Sequence, residues 1–291
     1  MIAFFANFFG YILNFLYEIV QNYGISIILF TIVLKICLLP LTIKQQTTMR
    51  KSSKIQEQLK SIQFKYKNDP QKLNRETMDL YKRENMSPFS GCFSAIIQIV
   101  LLLSVFYLVS SPLTYMKKVD ESTINTYKEE LQLQEKNSGM NYPEIGIIKE
   151  KGSVDEKVYI NMNFLGLELS NVPSQNLTNF TVYIIPALYV ISSIISLKMS
   201  INTNKKRKDE LVIEIKEDKE EKKEEGAMPD MAESMQKNMM LIMPIMSVMI
   251  SFIAPLGLAL YWLMNNILMI VEKIFINKII DKKEKEEFNK Q

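Results

Sequence analysis

Four stretches of this chain run almost without charge for longer than a bilayer is thick, and no other feature constrains the fold so strongly. Nothing is charged between Glu84 and Lys117, between Glu168 and Lys198, or between Lys237 and Glu272, and Ile25 to Ile43 contains only Lys35. A hydrocarbon core about 30 Å thick is crossed by roughly 20 apolar helical residues, so each stretch holds at least one span. Averages over the 291 residues conceal this: charged residues are 23% and mean hydropathy is +0.01, values that a water-soluble protein also shows. The patterning excludes a soluble single-core protein and predicts an all-α polytopic membrane protein.

The last uncharged run, Asn238 to Val271, would be about 51 Å long as a single helix. Ala254-Pro255-Leu256-Gly257 lies near its middle, where a missing N–H and a flexible residue permit a tight helical hairpin. Dividing it there gives five transmembrane helices, at 24–43, 89–110, 180–200, 238–254 and 255–277. Charge then orients them. The segment 44–88 carries eleven Lys and Arg against five acids and is assigned to the cytoplasm. The segment 111–179, with seven basic and ten acidic residues, falls outside by parity. The charged loop 201–237, with Lys205-Lys206-Arg207-Lys208, and the tail 278–291 return to the cytoplasm, and the N-terminus is expected outside.

Within 44–88, Asn68-Asp69-Pro70 separates two helical patterns. Asp69 is placed to cap the second and Pro70 to enter its first turn, so a cytoplasmic helical hairpin is expected. The loop 201–237 mixes Lys and Glu densely and reads as a solvated linker or frayed helix. Residues 1–23 carry a polar stripe of Asn7, Tyr11, Asn14, Glu18 and Gln21, away from Phe4, Phe8, Ile12, Phe15 and Ile19. That pattern predicts an N-terminal interfacial amphipathic helix on the outer side, with a sixth span as the alternative.

Chemistry is constrained by what is missing. There is no His, and Cys37 and Cys92 have neither CxxC spacing nor acidic neighbours, so no metal or cofactor site is expected. No His-dependent nucleophilic constellation and no phosphate-binding G-x-x-x-x-G-K-S/T loop exists, and the chain reads as a non-enzyme. A net charge of +3 is too small to indicate nucleic-acid recognition.

Lys35 stands out. It lies ten residues after Ile25 and eight before Ile43, about 15 Å and 12 Å from the two ends. A lysine at that depth costs about 2.5–3.5 kcal/mol on insertion scales, so it should face water, a partner or a cavity. No acidic residue lies inside the apolar stretches, so a hydrated pocket is expected in preference to a buried ion pair; the bland alternative is snorkelling to the interface. Thr31 shares its face one turn outward, and Gln98, Ser104, Ser192, Ser193, Ser196, Asn265 and Asn266 are further polar residues at membrane depth. Each alone suits helix–helix bonding; together with Lys35 they suit a polar groove. Eight methionines from Met228 to Met249 suit either an adaptable apolar surface or plain lipid contact.

Several blocks carry a family resemblance. Lys35-Ile36-Cys37-Leu38-Leu39-Pro40-Leu41-Thr42, Asn85-Met86-Ser87-Pro88-Phe89-Ser90-Gly91-Cys92, Gln98, Asn163-Phe164-Leu165-Gly166-Leu167-Glu168-Leu169-Ser170 and Pro255-Leu256-Gly257-Leu258-Ala259-Leu260-Tyr261-Trp262-x-x-Asn265 together resemble the YidC/Oxa/Alb membrane-protein insertases, in order over about residues 20–275. The resemblance implies a five-span core with a groove open to cytoplasm and lipid. Lys35 takes the place of a cation that is usually arginine, and Thr31, Gln98, Tyr261, Trp262 and Asn265 become groove residues. It implies nascent membrane proteins as substrates, in the bilayer of a bacterial plasma membrane, alone or with a Sec-type translocon and with ribosome or signal recognition particle machinery. The tail from Asp281, with four lysines and four acids, gives little support to ribosome docking. Ser94 and Val100 stand where members often carry proline, which predicts a straighter second span. The rival reading from another class is a small-solute transporter or channel with Lys35 as its anion site, although no internal repeat supports it.

Overall fold

The computed structural model describes residues 1–84, 90–131, 142–216 and 246–288. The motif residues 85–89, the charged loop from 217, the methionines from Met228 to Met243 and the first half of the expected fourth span, 238–245, lie outside the described residues. Helices α1 (Ile2–Val20), α2 (Tyr23–Lys65), α3 (Pro70–Arg83), α4 (Ser90–Ser110), α5 (Glu121–Glu130), α6 (Pro143–Lys151), α7 (Ile184–Lys216), α8 (246–253) and α9 (Leu256–Phe288) follow in order. The only strands among the described residues are an antiparallel pair, β1 (Asn163–Phe164) and β2 (Leu167–Glu168).

Among the described residues, four helical stretches are long and apolar enough to cross a membrane: Ile2–Val20, Tyr23–Met49, Phe180–Ser200 and Leu256–Ile280. The described apolar part of α4, Ile96–Ser110, is shorter, and α4 itself runs unbroken. The chain is thus an all-α polytopic membrane protein. It forms two compact units, one of 1–37, 98–196 and 242–272, the other of 38–97, 197–241 and 273–291. Helices α2, α7 and α9 each run from the first unit into the second without a break at 43, 200 or 277. From Leu41 to Lys65, Leu197 to Lys216 and Lys273 to Phe288 there is neither Gly nor Pro, and Lys, Gln, Glu and Leu are good helix formers.

In the first unit α1 packs against the early part of α2. Only Gln21 and Asn22 join them, Gln21 takes a left-handed conformation at φ 49°, and the rings of Phe9 and Phe30 lie 5.8 Å apart. Ala6, Phe9, Leu13 and Tyr17 are buried, whereas Phe4, Phe8, Phe15 and Ile19 stay exposed on another face. Gly10 is where α1 meets the π-helical turn Leu113–Lys117; a Cβ there would stand 1.8 Å from the Tyr115 carbonyl oxygen. The polar edge of α1 is also engaged, since Lys118 hydrogen-bonds Asn7 and lies over the Tyr11 ring, and Lys117 Nζ is 3.9 Å from Glu18.

The segment 161–171 binds several helix ends together. The Asn161 N–H donates to the Tyr17 hydroxyl at 2.8 Å, the Tyr23 N–H donates to the Asn161 carbonyl at 3.0 Å, and the Asn22 side chain donates to the Asn163 carbonyl at 2.7 Å. Gly24 makes room for the Phe164 ring, which a Cβ would meet at 2.5 Å. Helix α8 ends at Ala254–Pro255, and α9 starts at once. The first N–H groups of any helix lack intrahelical partners. Here the Leu256 N–H donates to the Asn171 carbonyl at 2.9 Å and the Gly257 N–H to the Leu169 carbonyl at 3.0 Å.

In the second unit, Asp69 caps α3 by accepting from the Lys72 N–H at 3.1 Å and Pro70 occupies its first turn, in agreement with the sequence reading. Ile55 on α2 and Leu80 on α3 are both buried, each about three turns from the Tyr66–Asp69 connection. Lys273 Nζ donates to the Ser200 hydroxyl at 2.8 Å.

Candidate functional site

The site is built on α2 and α9 within the first unit. The Tyr23 ring packs beside Gly257, 3.5 Å from where a Cβ would stand, which fixes a common level for the two helices. From that level Lys35 is twelve residues along α2, about 18 Å, and Glu272 is fifteen along α9, about 23 Å. Two long side chains close the difference, and Lys35 Nζ lies 3.1 Å from Glu272 Oε2.

This corrects the expectation that no acid neutralises Lys35. The acid sits at the residue that ends an uncharged run, and α9 continues as helix past it and carries the carboxylate alongside the lysine. The pair is asymmetric: the Lys35 side chain is 23% exposed and that of Glu272 only 8%. Glu272 Oε1 is buried without a hydrogen-bond partner.

The six residues expected to line a groove separate into two groups. Lys35 and Asn265 are partly exposed and Gln98 is exposed. Thr31 is buried, and its hydroxyl donates to the Ile27 carbonyl at 2.6 Å, so it satisfies its own helix. Tyr261 and Trp262 are buried, with the Trp262 ring 6.3 Å from that of Tyr189 at 36°. Asn266, one turn after Trp262, is buried and donates to the hydroxyls of Ser192 at 3.0 Å and Ser193 at 3.1 Å. Those polar residues join α9 to α7. Helix α9 therefore turns Trp262 and Asn266 toward α7, while Tyr261, Asn265 and Glu272 share a neighbouring face at i, i+4 and i+11.

Sequence reasoning missed two acids. Glu272 was detectable only through that register, because a charge ending an apolar run reads as a membrane flank. Glu144, near the start of α6, is buried and accepts from the Thr114 N–H at 3.0 Å and the Thr114 hydroxyl at 2.6 Å. Burial pushes its carboxyl above the usual range, although the hydrogen bonds from Thr114 and the Leu113 backbone oppose this.

The profile of the 60Kd inner membrane protein family matches residues 15–284. The chain is 28% identical over 272 residues to a membrane protein insertase YidC of Fusobacterium nucleatum, covering 94% of both chains. It is 28% identical over 268 residues to one of Rickettsia prowazekii, covering 92% of this chain and 38% of that protein. A further relative of that name, from Caldanaerobacter subterraneus, is 41% identical over 101 residues, 35% of this chain and 49% of the relative. With a profile match spanning nearly all of its apolar helices, this multi-pass chain belongs to the 60Kd inner membrane protein family, the YidC insertase family.

Proposed function

We propose that the chain moves hydrophobic segments of nascent membrane proteins from the cytoplasm into the bilayer, holding the polar flank of the segment near Lys35 while its apolar part passes into lipid. The observation that carries this reading is a partly exposed cation on an apolar helix, anchored by a nearly buried carboxylate, in a chain of the insertase family. No bond chemistry is needed. Each buried methylene of the client yields about 0.8 kcal/mol, so a spanning helix supplies the driving force, and the protein has only to lower the barrier for the polar flank. Gln98 and Asn265, which keep accessible surface, supply further hydrogen-bonding groups; Thr31, Tyr261 and Trp262 shape the wall from behind.

In this reading the α2–α3 hairpin faces the cytoplasm and meets the client first, α1 lies at the outer interface, the N-terminus is outside and the C-terminus inside. A Sec-type channel, the ribosome and the signal recognition particle machinery are partners in delivery. The carboxylate against Lys35 weighs against a dedicated anion site of a solute transporter, because it offsets the charge that would hold a free anion.

The test is insertion of a single-span substrate with an acidic outward tail into proteoliposomes, scored by protease protection of the tail. Wild type is compared with Lys35→Arg, Lys35→Leu and Lys35→Leu/Glu272→Leu, the last of which removes the carboxylate that a lone Leu would strand. Loss in both Leu-bearing variants with Arg retained supports the reading. Equal insertion by all four removes Lys35 from the mechanism.

A further inference from the structure

An attractive cation needs no carboxylate beside it, yet Glu272 lies 3.1 Å from Lys35. We propose that Glu272 is a specificity-determining residue, a built-in counter-ion that keeps the Lys35 site close to neutral, so that the site accepts neutral polar flanks as readily as acidic ones. The inference rests on the insertase reading above and names the class of client flank that the site takes.

An ammonium group has three donors, and one of them goes to Glu272 Oε2. The Lys35 side chain is 23% exposed, so the remaining donors are within reach of an incoming chain. Glu272 has no such freedom: its side chain is 8% exposed, and Oε1 is buried with no other donor to share the charge. Its charge therefore acts on Lys35.

Two routes are open to a client flank. A carboxylate could replace Glu272 on the lysine, but this would leave both Glu272 oxygens buried and unpaired, the costly way to open a buried ion pair. An acceptor could instead take a free Lys35 donor with the pair intact. Backbone carbonyls, Asn, Gln, Ser and Thr do this as well as a carboxylate does when the net charge they meet is near zero. Thr31, one turn away, is committed to the Ile27 carbonyl and does not compete for those donors.

The experiment uses the full chain in proteoliposomes and single-span substrates whose outward tails are matched in length and either acidic or built of Asn and Ser. The readout is the ratio of acidic to neutral tails protected. Wild type is expected to give a ratio near one that changes little with salt. Glu272→Gln, which keeps the shape and unmasks the charge, is expected to raise the ratio about fivefold and to make it fall with added salt. An unchanged ratio in Glu272→Gln, with insertion intact, overturns the inference and leaves the insertase reading standing. A wild-type ratio already near fivefold overturns it without any variant. Absence of insertion above protein-free vesicles for both tails overturns the insertase reading and this inference together.

Discussion

Lys35 and Glu272 are 237 positions apart, and breaking their pair from one side is expected to destabilise the molecule more than removing both members. Lys35→Leu leaves a nearly buried carboxylate without a partner, at about 3–5 kcal/mol, whereas Lys35→Leu/Glu272→Leu should recover most of that loss. Thermal unfolding in detergent, arranged as a double-mutant cycle, measures both. Glu144 gives a pH dependence of definite sign. Its folded carboxyl titrates above the unfolded range, so the folded protein holds the extra proton, and stability should fall as pH rises from the ordinary carboxyl range through the raised value. Glu144→Gln should flatten that slope, and Glu144→Ala, which strands the Thr114 N–H, should cost about 1–3 kcal/mol, both read from melting curves across pH. At this scale the sequence exposed Lys35, because a single charge in an apolar run is conspicuous. It did not expose the partner, which resembles any residue at a membrane flank, nor Glu144, whose burial depends on a turn 30 positions away.

Helices pack here through few polar contacts and close backbone approaches. Asn266→Ala removes the hydrogen bonds to Ser192 and Ser193 and should cost about 0.6–1.7 kcal/mol, the range of interhelical bonds in lipid. Gly10→Ala must push α1 from the Tyr115 carbonyl, an overpacking of about 1–3 kcal/mol or more, seen as a lowered melting temperature. The α3 start was legible because Asp69 and Pro70 act locally. The span ends expected at 43, 200 and 277 were drawn where hydropathy changes, and hydropathy reports the solvent around a helix and not its continuity, so that α2, α7 and α9 run on past them as single helices was not legible. The packing of α1 was also hidden, since its contacts with Tyr115, Lys117 and Lys118 join residues far apart in the chain.

For the whole molecule, the fold class was legible from the distribution of charge alone, while the fold of 142–179 was not, because it rests on distant contacts such as Asn161 with Tyr17 and Tyr23. Orientation can be checked with a membrane-impermeant thiol reagent in a chain without Cys37 and Cys92. Tyr159→Cys is expected to react from outside and Phe64→Cys only from the cytoplasmic side; the opposite pattern would invert the proposed topology. The carbonyls of Asn171 and Leu169 that receive the first N–H groups of α9 precede them by 85 and 88 positions. Synthesis runs from the N-terminus, so the acceptors are made long before the donors. The turn between α8 and α9 can thus dock only once a segment made much earlier is in place to receive it. Slow folding of 163–171 would delay the closing of the last two helices and also the contacts that Asn163 and Phe164 make with Asn22 and Gly24.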